Sequence, residues 1–282
     1  MARWRSRRSP ASGDKRNRLL TTREAFRVLR SNLLVAISDL SNPVVVVTSA
    51  HPGEGKTVTS ANLAQSLATA GQHVVLVDVD LRNPDSHRQI GAHNEAGVSD
   101  VLLDRRPLKE CVQYLELPAT ENSAPPASLY FLGTGPQVAN PTELLAKPRA
   151  AWLLETLAAQ ADIVLLDTPS VLPVADTLVI GRLAAGAILV VETRTSAPAA
   201  KRAKDALTRN QTRILGVVLN RFESKYARYG SGQDDNYGYG YGYSFGSSGP
   251  GTAGNGSGRD KSGRVREAAS PDAKISWKHR RT

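Results

Sequence analysis

Short continuous runs of Val, Ile and Leu recur along this chain of 282 residues and alternate with stretches of helical pattern. Such runs are typical of strands that are buried on both faces of a parallel sheet. Six strands are predicted in this way, at 44–47, 74–77, 129–132, 163–166, 187–191 and 214–219. Helices are predicted between them at about 57–70, 150–159, 175–183 and 199–209.

This alternation predicts right-handed crossover connections and a doubly wound, mostly parallel α/β sheet. Ligands bind such sheets at the carboxyl ends of the strands. Before the first strand, Thr21 and Glu24 have the spacing of a helix capping box. The apolar residues behind them recur at helical spacing and predict an amphipathic helix: Phe26, Leu29, Leu33, Ile37 and Leu40.

The basic charge is concentrated at the two ends of the chain. Residues 1–18 hold seven Lys and Arg against one acid, and residues 258–282 hold eight against three. The net charge of these two ends together exceeds the net charge of the whole chain, which is +10, so the body between them is close to neutral. A neutral body argues against dedicated nucleic-acid binding. The ends are expected to be disordered tails that are solubilising or that touch anionic lipid or nucleic acid.

Four regions are predicted along the chain. They are a basic tail over 1–20, one α/β domain over 21–225, a Tyr/Gly-rich tail over 226–258 and a second basic tail over 259–282. Within the domain, the proline-containing stretch 116–128 is expected to be a surface loop. The single cysteine, Cys111, suits a reducing compartment, and neither a signal peptide nor a run of about 20 apolar residues is visible. We therefore expect a cytoplasmic protein.

A glycine-rich loop joins the first predicted strand to the following helix. It matches seven of the eight positions of the phosphate-loop pattern, with Ala50 where the strict pattern has Gly. In such loops the lysine, here Lys56, reaches the β- and γ-phosphates, and the hydroxyl of Thr57 ligates Mg²⁺. We therefore expect ATP and Mg²⁺ to bind at this loop. The residues expected to hold the nucleotide are Pro52, Gly53, Glu54, Gly55, Lys56, Thr57 and Val58.

Acidic residues end two further strands. Asp78 and Asp80 follow the second strand, and Asp167 follows the fourth. A buried carboxylate is costly unless a cation is near, and Mg²⁺ prefers oxygen ligands. We expect Asp78 and Asp167 to hold Mg²⁺ together with Thr57, and Asp78 or Asp80 to accept a proton from an attacking hydroxyl. Asn220 is expected either to contact the adenine or to end its strand.

These residues resemble the bacterial tyrosine kinase family, in its free-standing cytoplasmic form. The resemblance implies a P-loop NTPase fold, with Lys56, Asp78, Asp80 and Asp167 as catalytic residues of an ATP-dependent protein-tyrosine kinase. It extends from about residue 21 to about residue 243. It is carried by the phosphate loop and by Asp78-Val79-Asp80-Leu81-Arg82-Asn83-Pro84, Asp167-Thr168-Pro169, Gly97-Val98-Ser99-Asp100-Val101-Leu102-Leu103, Asn140-Pro141-Thr142-Glu143-Leu144-Leu145 and Gly216-Val217-Val218-Leu219-Asn220.

Two further segments fit the same family. Glu24, Arg27 and Arg30 match its ExxRxxR pattern, which implies a ring-like homo-oligomer that presents the tail of one subunit to the next. Alternating Tyr and Gly residues cannot fill a core, so the tail should offer solvated phenols as phosphoacceptors. These are Tyr226, Tyr229, Tyr237, Tyr239, Tyr241 and Tyr243.

The resemblance also implies partners and a pathway. It predicts a separate transmembrane polysaccharide co-polymerase that activates the kinase and brings it to the inner face of the membrane, a cognate tyrosine phosphatase, and regulation of capsular or exopolysaccharide synthesis. Two alternatives remain open from the residues. One is a ParA/MinD-type positioning ATPase, although His51 stands where that group carries its signature lysine. The other is a nucleotide-binding regulator without catalytic activity.

Overall fold

The computed structural model of the chain describes residues 12–117 and 127–222. Strands and helices alternate through these ranges as the sequence predicts. The strands are β1 Val44–Ser49, β2 Val74–Asp78, β3 Val112–Glu116, β4 Ser128–Leu132, β5 Ile163–Asp167, β6 Gly186–Glu192 and β7 Ile214–Asn220. The helices are α1 Ser12–Ile37, α2 Lys56–Thr69, α3 Ser86–Ile90, α4 Val98–Leu102, α5 Leu108–Cys111, α6 Pro141–Leu145, α7 Pro148–Ala158, α8 Asp176–Gly181 and α9 Ala197–Arg209.

The seven described strands form one sheet in the order β3-β4-β2-β5-β1-β6-β7. Every neighbouring pair is parallel except β3 with β4. The predicted doubly wound, mostly parallel fold is therefore confirmed. The order places β2, β5 and β1 side by side at the centre, so the strand ends that carry the phosphate loop and the acids meet at one edge of the sheet.

Helical layers cover both faces of the sheet, which explains why its central strands β1, β2 and β5 carry continuous apolar runs. In β1, Val44 and Val46 belong to one buried cluster, whereas Val45 and Val47 belong to another. The first cluster packs under α4, α7 and α9, and the second under α1 and α2. None of the helices in the described ranges is long and apolar enough to cross a membrane.

The strand β3 was not predicted from sequence. It is the antiparallel edge strand, and its residues are only partly buried, so it lacks the continuous apolar run that marks the central strands. The predicted loop 116–128 begins and ends in strands, since Glu116 pairs with Ser128 across β3 and β4. Residues 118–126 of that loop lie outside the described residues.

The first helix begins earlier than the sequence predicts. α1 starts at Ser12, so the tail predicted over 1–20 ends inside a helix, and Thr21 cannot cap that helix. The prediction of a capping box was wrong because residues 14–20 contain no Gly or Pro and hold Lys, Arg and Leu, which favour helix. The predicted apolar face is confirmed: Leu33 and Ile37 are buried, and the other apolar residues of the repeat pack against the same cluster.

The packing of α2 on the sheet gives a prediction for stability. Leu67 lies on the buried face of α2 with no solvent exposure. We expect Leu67→Ala to lower the free energy of unfolding by about 2–5 kcal/mol, because the lost contacts leave a cavity. Val35→Ala is the matched control on α1, where Val35 is 76% exposed, and it should change stability by less than about 0.5 kcal/mol. Equal effects in urea unfolding would contradict this packing.

Candidate active site

The glycine-rich loop connects the end of β1 at Ser49 to the start of α2 at Lys56. Gly53 and Gly55 have φ values of +85° and +92°, a left-handed conformation that glycine adopts at little cost. At Gly55 the space is also closed, because an added Cβ would lie 2.1 Å from the amide nitrogen of Asn220. The loop conformation therefore requires glycine here for two reasons.

Glu54 turns its side chain into the loop and is only 4% exposed. Its Oε2 accepts hydrogen bonds from the backbone N–H groups of Ala50, at 2.8 Å, and His51, at 3.2 Å. Its Oε1 accepts from the hydroxyl of Thr195, which follows β6. The carboxylate thus holds the loop to itself and to the neighbouring strand end. That the backbone N–H of Glu54 binds the nucleotide stays a prediction.

Lys56 is the cation of the site. Its Nζ donates to Oδ2 of Asp80 at 3.0 Å and lies 3.4 Å from Oγ1 of Thr57. Burial by itself would lower the pKa of Lys56, but the charges of Asp167, Asp80 and Asp78 together raise it. Lys56 is therefore held as an ammonium in the middle of three carboxylates, which suits it to meet a phosphate.

Asp78 and Asp167 are register partners at the ends of β2 and β5. Both are buried, with exposures of 0% and 1%. Burial raises the pKa of Asp78 well above its usual range, and the charge of Asp167 raises it further. Burial also raises the pKa of Asp167, although Lys56 opposes that shift. The two strands therefore bring two carboxyl groups together that are expensive to ionise at the same time.

Two serines that sequence analysis missed hold these carboxyl groups in place. Ser86, at the start of α3, donates its hydroxyl to Oδ2 of Asp167 at 2.7 Å and its backbone N–H to Oδ2 of Asp78 at 3.1 Å. Ser60, on α2, donates to Oδ1 of Asp167 at 3.2 Å. No sequence signal identifies them, because serine is common in any context and these contacts join separate elements.

Asp80 reaches the site by a turn and not by a continued strand. The strand β2 ends at Asp78, and the backbone N–H of Asp80 donates to Oδ1 of Asp78 at 3.1 Å. Oδ1 of Asp80 accepts from the backbone N–H of Asn83 at 3.0 Å, which fixes the turn. From the sequence, Asp78 and Asp80 were expected to point to one side if β2 continued through both. Because β2 ends at Asp78, the turn brings only Asp80 into hydrogen-bonding distance of Lys56.

Arg82 points away from Lys56. Its Nε and Nη2 donate to the carboxylate of Asp176, at 2.8 and 3.1 Å, and Nη2 also donates to Thr142 at 3.1 Å. Asp176 is fully buried at the start of α8, and Thr142 lies on α6. Arg82 thus ties the turn after β2 to two helices, α8 and α6.

The remaining nucleotide-binding candidates lie around the mouth of the loop. Pro52, Gly53 and Val58 are exposed, and Thr57 is buried at the start of α2. Asn220 ends β7 and donates its side-chain amide to the carbonyl oxygen of Glu54 at 3.0 Å. The expected adenine contact of Asn220 stays a prediction, whereas its position at the end of the strand is confirmed.

The oxygen donors of the site fit a magnesium ion. Thr57 contributes a hydroxyl, and Asp78 and Asp167 contribute the buried carboxyl groups beside it. Among the described residues, no group of three or more His, Cys, Asp or Glu side chains is placed to hold a metal. Mg²⁺ usually takes one or two protein carboxylates and completes its shell with phosphate and water.

The predicted oligomer residues lie on α1, away from the loop. Glu24 and Arg27 form an exposed ion pair at 3.2 Å. Arg30 instead donates to the carbonyl oxygen of Ser66 on α2 at 3.0 Å, so it fastens α1 to α2. The predicted phosphoacceptors lie outside the described residues: Tyr226, Tyr229, Tyr237, Tyr239, Tyr241 and Tyr243.

The buried carboxyl pair gives a prediction for pH. The pKa of Asp78 is higher in the folded chain than in the unfolded chain. Its contribution to stability is therefore complete below the unfolded pKa and is lost as the pH rises through the folded pKa. We expect Asp78→Asn to become progressively more stable relative to the parent in urea unfolding as the pH rises above about 4, the usual pKa of an aspartate. Asp39→Asn, at an exposed position, is the control and should show no such trend. A pH-independent difference for Asp78→Asn would contradict the expectation.

Comparison with known proteins identifies the family. Residues 45–237 match the family model of the CobQ/CobB/MinD/ParA nucleotide binding domain. Tyrosine-protein kinase YwqD of Bacillus subtilis is 36% identical over 217 residues, which are 76% of this chain and 88% of YwqD. The putative tyrosine-protein kinase EpsB of Ralstonia solanacearum is 36% identical over 210 residues, which are 74% of this chain but only 27% of EpsB.

The solved structures agree with this result. The kinase domain of the Escherichia coli tyrosine kinase ETK aligns with a TM-score of 0.64 and 30% identity, over 71% of this chain and 77% of that domain. The chain belongs to the CobQ/CobB/MinD/ParA nucleotide-binding domain family and, within it, to the bacterial tyrosine-protein kinases.

Proposed function

We propose that this protein is an ATP-dependent kinase that phosphorylates the tyrosines of its own C-terminal cluster, in trans between subunits. One observation supports this proposal most directly. The only cation found within hydrogen-bonding distance of the Asp80 carboxylate, among the described residues, is Lys56, and both stand at the mouth of a phosphate loop. An ammonium held there is placed to neutralise charge on a γ-phosphoryl group.

The chain's own groups have separate roles in this scheme. The backbone N–H groups of the glycine-rich loop and the N-terminus of α2 bind the phosphates. Lys56 exchanges Asp80 for phosphate oxygens, which leaves Oδ2 of Asp80 free. Asp80 is 5% exposed, and Asp78 is fully buried with both oxygens accepting backbone N–H bonds. We therefore assign the tyrosine proton to Asp80 and the positioning of the turn to Asp78.

Thr57, Asp78 and Asp167 would hold Mg²⁺, which supplies further neutralisation of the phosphate charge when bound. Ser86 and Ser60 keep the Asp167 carboxyl oriented toward Thr57 and Lys56. Burial raises the pKa of Asp167, and hydrogen bonds from Ser86 and Thr57 oppose that rise.

Subunit contact and acceptor supply rest on the two ends of the domain. Glu24 and Arg27 are exposed on α1 and support a contact with a neighbouring subunit, whereas Arg30 acts within its own chain. The six tail tyrosines would each gain a charge of about −1.5 to −2 on phosphorylation. Repulsion between such tails would favour separation of the oligomer.

The biological setting follows from the family resemblance. We infer that the kinase works with a transmembrane polysaccharide co-polymerase at the inner face of the cell membrane. A cognate tyrosine phosphatase would reverse the modification, and the pair would regulate capsular or exopolysaccharide synthesis. The chain spans 88% of YwqD and 27% of EpsB.

The ParA/MinD-type alternative has less support from the loop. Its signature lysine would occupy position 51, and His51 is exposed there and contributes its backbone N–H to the loop. An ATP-dependent dimer that binds DNA would favour this alternative. Nucleotide binding without any phosphotyrosine would instead favour a non-catalytic regulator.

The mechanism predicts the effect of removing the central cation. Full-length Lys56→Met protein, incubated with labelled ATP and the membrane partner's cytosolic segment, should incorporate label at least roughly 100-fold more slowly than the parent. Lys109→Met is the control, because Lys109 is exposed on α5. Mass spectrometry should place the parent's label on tail tyrosines. Equal labelling of Lys56→Met and the parent would refute the mechanism.

The subunit contact can be tested separately. We expect Arg27→Glu to shift the unphosphorylated protein toward smaller species in multi-angle light scattering, because it puts like charges at Glu24 and at position 27. Arg23→Glu makes the same charge change at a neighbouring exposed position of α1 and should leave the mass distribution unchanged. If the two variants behave alike, α1 does not form the contact through this pair.

A further inference from the structure

The last part of the described fold carries a local excess of positive charge. Residues 182–221 contain eight Lys and Arg and only two acids, Glu192 and Asp205. One of the eight, Arg221, pairs with Glu192. Within the described residues, the other seven make no ion pair and no side-chain hydrogen bond. They are Arg182, Arg194, Lys201, Arg202, Lys204, Arg209 and Arg213.

The helix α9 presents most of these cations on one side. Ala199, Ala203 and Leu207 form its buried stripe against the sheet. Lys201, Arg202, Lys204 and Arg209 are exposed. At 3.6 residues per turn these four fall within the arc opposite the buried stripe, with Asp205 as the only acid among them. The outer side of α9 is therefore strongly basic.

Exposed apolar side chains lie beside this helix. Val217 and Leu219 of β7 are 64% and 53% exposed, and Phe222, which follows the strand, is 52% exposed. In register, Val217 lies next to Leu189 and Leu219 next to Val191. Parallel neighbours in register point to the same face of a sheet.

Leu189 and Val191 pack in the cluster beneath α9, so Val217 and Leu219 project on the α9 side of the sheet. They remain exposed because β7 is the edge strand and only β6 flanks it. The α9–β7 face, defined by Lys201, Arg202, Lys204, Arg209, Arg213, Val217, Leu219 and Phe222, thus combines unpaired cations with uncovered apolar groups.

We propose that the α9–β7 face binds directly to an anionic lipid surface, independently of any protein partner and of phosphoryl transfer. Two observations favour lipid as the occupant. Unpaired lysines and arginines attract the negative surface of a membrane, each adding roughly fivefold in affinity. Aliphatic and aromatic side chains beside them can enter the boundary between headgroups and acyl chains. Nucleic acid would use the cations but would leave Val217 and Leu219 in water.

The test uses the full-length protein and vesicles of phosphatidylglycerol or of phosphatidylcholine in a sedimentation assay. The triple variant Lys201→Glu, Arg202→Glu, Lys204→Glu should bind phosphatidylglycerol at least about tenfold more weakly than the parent. The matched variant Arg105→Glu, Arg106→Glu, Lys109→Glu changes the net charge equally at another exposed site and should stay within about twofold. Binding of the parent should weaken with added salt and should be slight on phosphatidylcholine.

A second measurement reports on insertion. A dye sensitive to polarity, attached at Leu219→Cys, should shift its emission to the blue on phosphatidylglycerol vesicles. The same dye at Val35→Cys, exposed on the opposite helical layer, should not shift. The native Cys111 is buried and 1% exposed, which protects it from labelling.

Three outcomes would overturn the proposal. Equal vesicle binding by the two triple variants would assign binding to overall charge or to the basic ends of the chain. No emission shift at Leu219→Cys would exclude apolar contact with lipid. Loss of DNA binding in the α9 triple variant, with vesicle binding unchanged, would identify nucleic acid as the partner. None of these depends on kinase activity, so failure here leaves the labelling test of Lys56→Met unaffected.

Discussion

A single ammonium group facing three carboxyl groups is the constraint on which the site depends. Lys56 donates directly to Asp80, whereas Asp78 and Asp167 accept hydrogen bonds from Ser86. A buried carboxylate without such partners is costly. Because β2, β5 and β1 are neighbours in the sheet, their last residues lie at one edge, and the ammonium and carboxyl groups that follow them lie close together.

Much of this site could be predicted because its strands and its loop have sequence patterns that lie within a few residues of each other. The continuous valines of β1 predict a buried strand, and Gly53, Gly55 and Lys56 follow it at a spacing that few other structures require. Asp78 and Asp167 stand directly after apolar runs, so their position at the strand ends follows from the strands themselves. In these cases the residues that form the structure are the same residues that carry the sequence pattern.

What the sequence did not reveal depends on partners distant along the chain. Ser86 bonds Asp167, and Arg82 bonds Asp176, yet neither pair has a local spacing rule. No sequence signal indicated that the carboxylate of Glu54 accepts hydrogen bonds from Ala50, His51 and Thr195. The edge strand β3 was missed for a related reason, since its partial burial leaves a mixed pattern that resembles a loop.

Charge shows the same difference between composition and fold. Counted along the chain, the excess positive charge falls at the two ends, and the body between them is close to neutral. The fold instead places four cations, Lys201, Arg202, Lys204 and Arg209, on the outer side of α9, and most of the acids lie elsewhere, at the strand ends and on other loops. A sum of charges over a domain therefore says little about the surface that any partner meets.

The amide of Asn220 closes the phosphate loop against the end of the last strand. The last residue of the folded domain therefore also supports the phosphate loop. A shortened protein ending at Leu219 would keep nearly all of the buried apolar residues but would lose the amide that rests on Gly55 and Glu54. A minimal domain derived from this chain therefore has to include residue 220 to keep this contact with the loop.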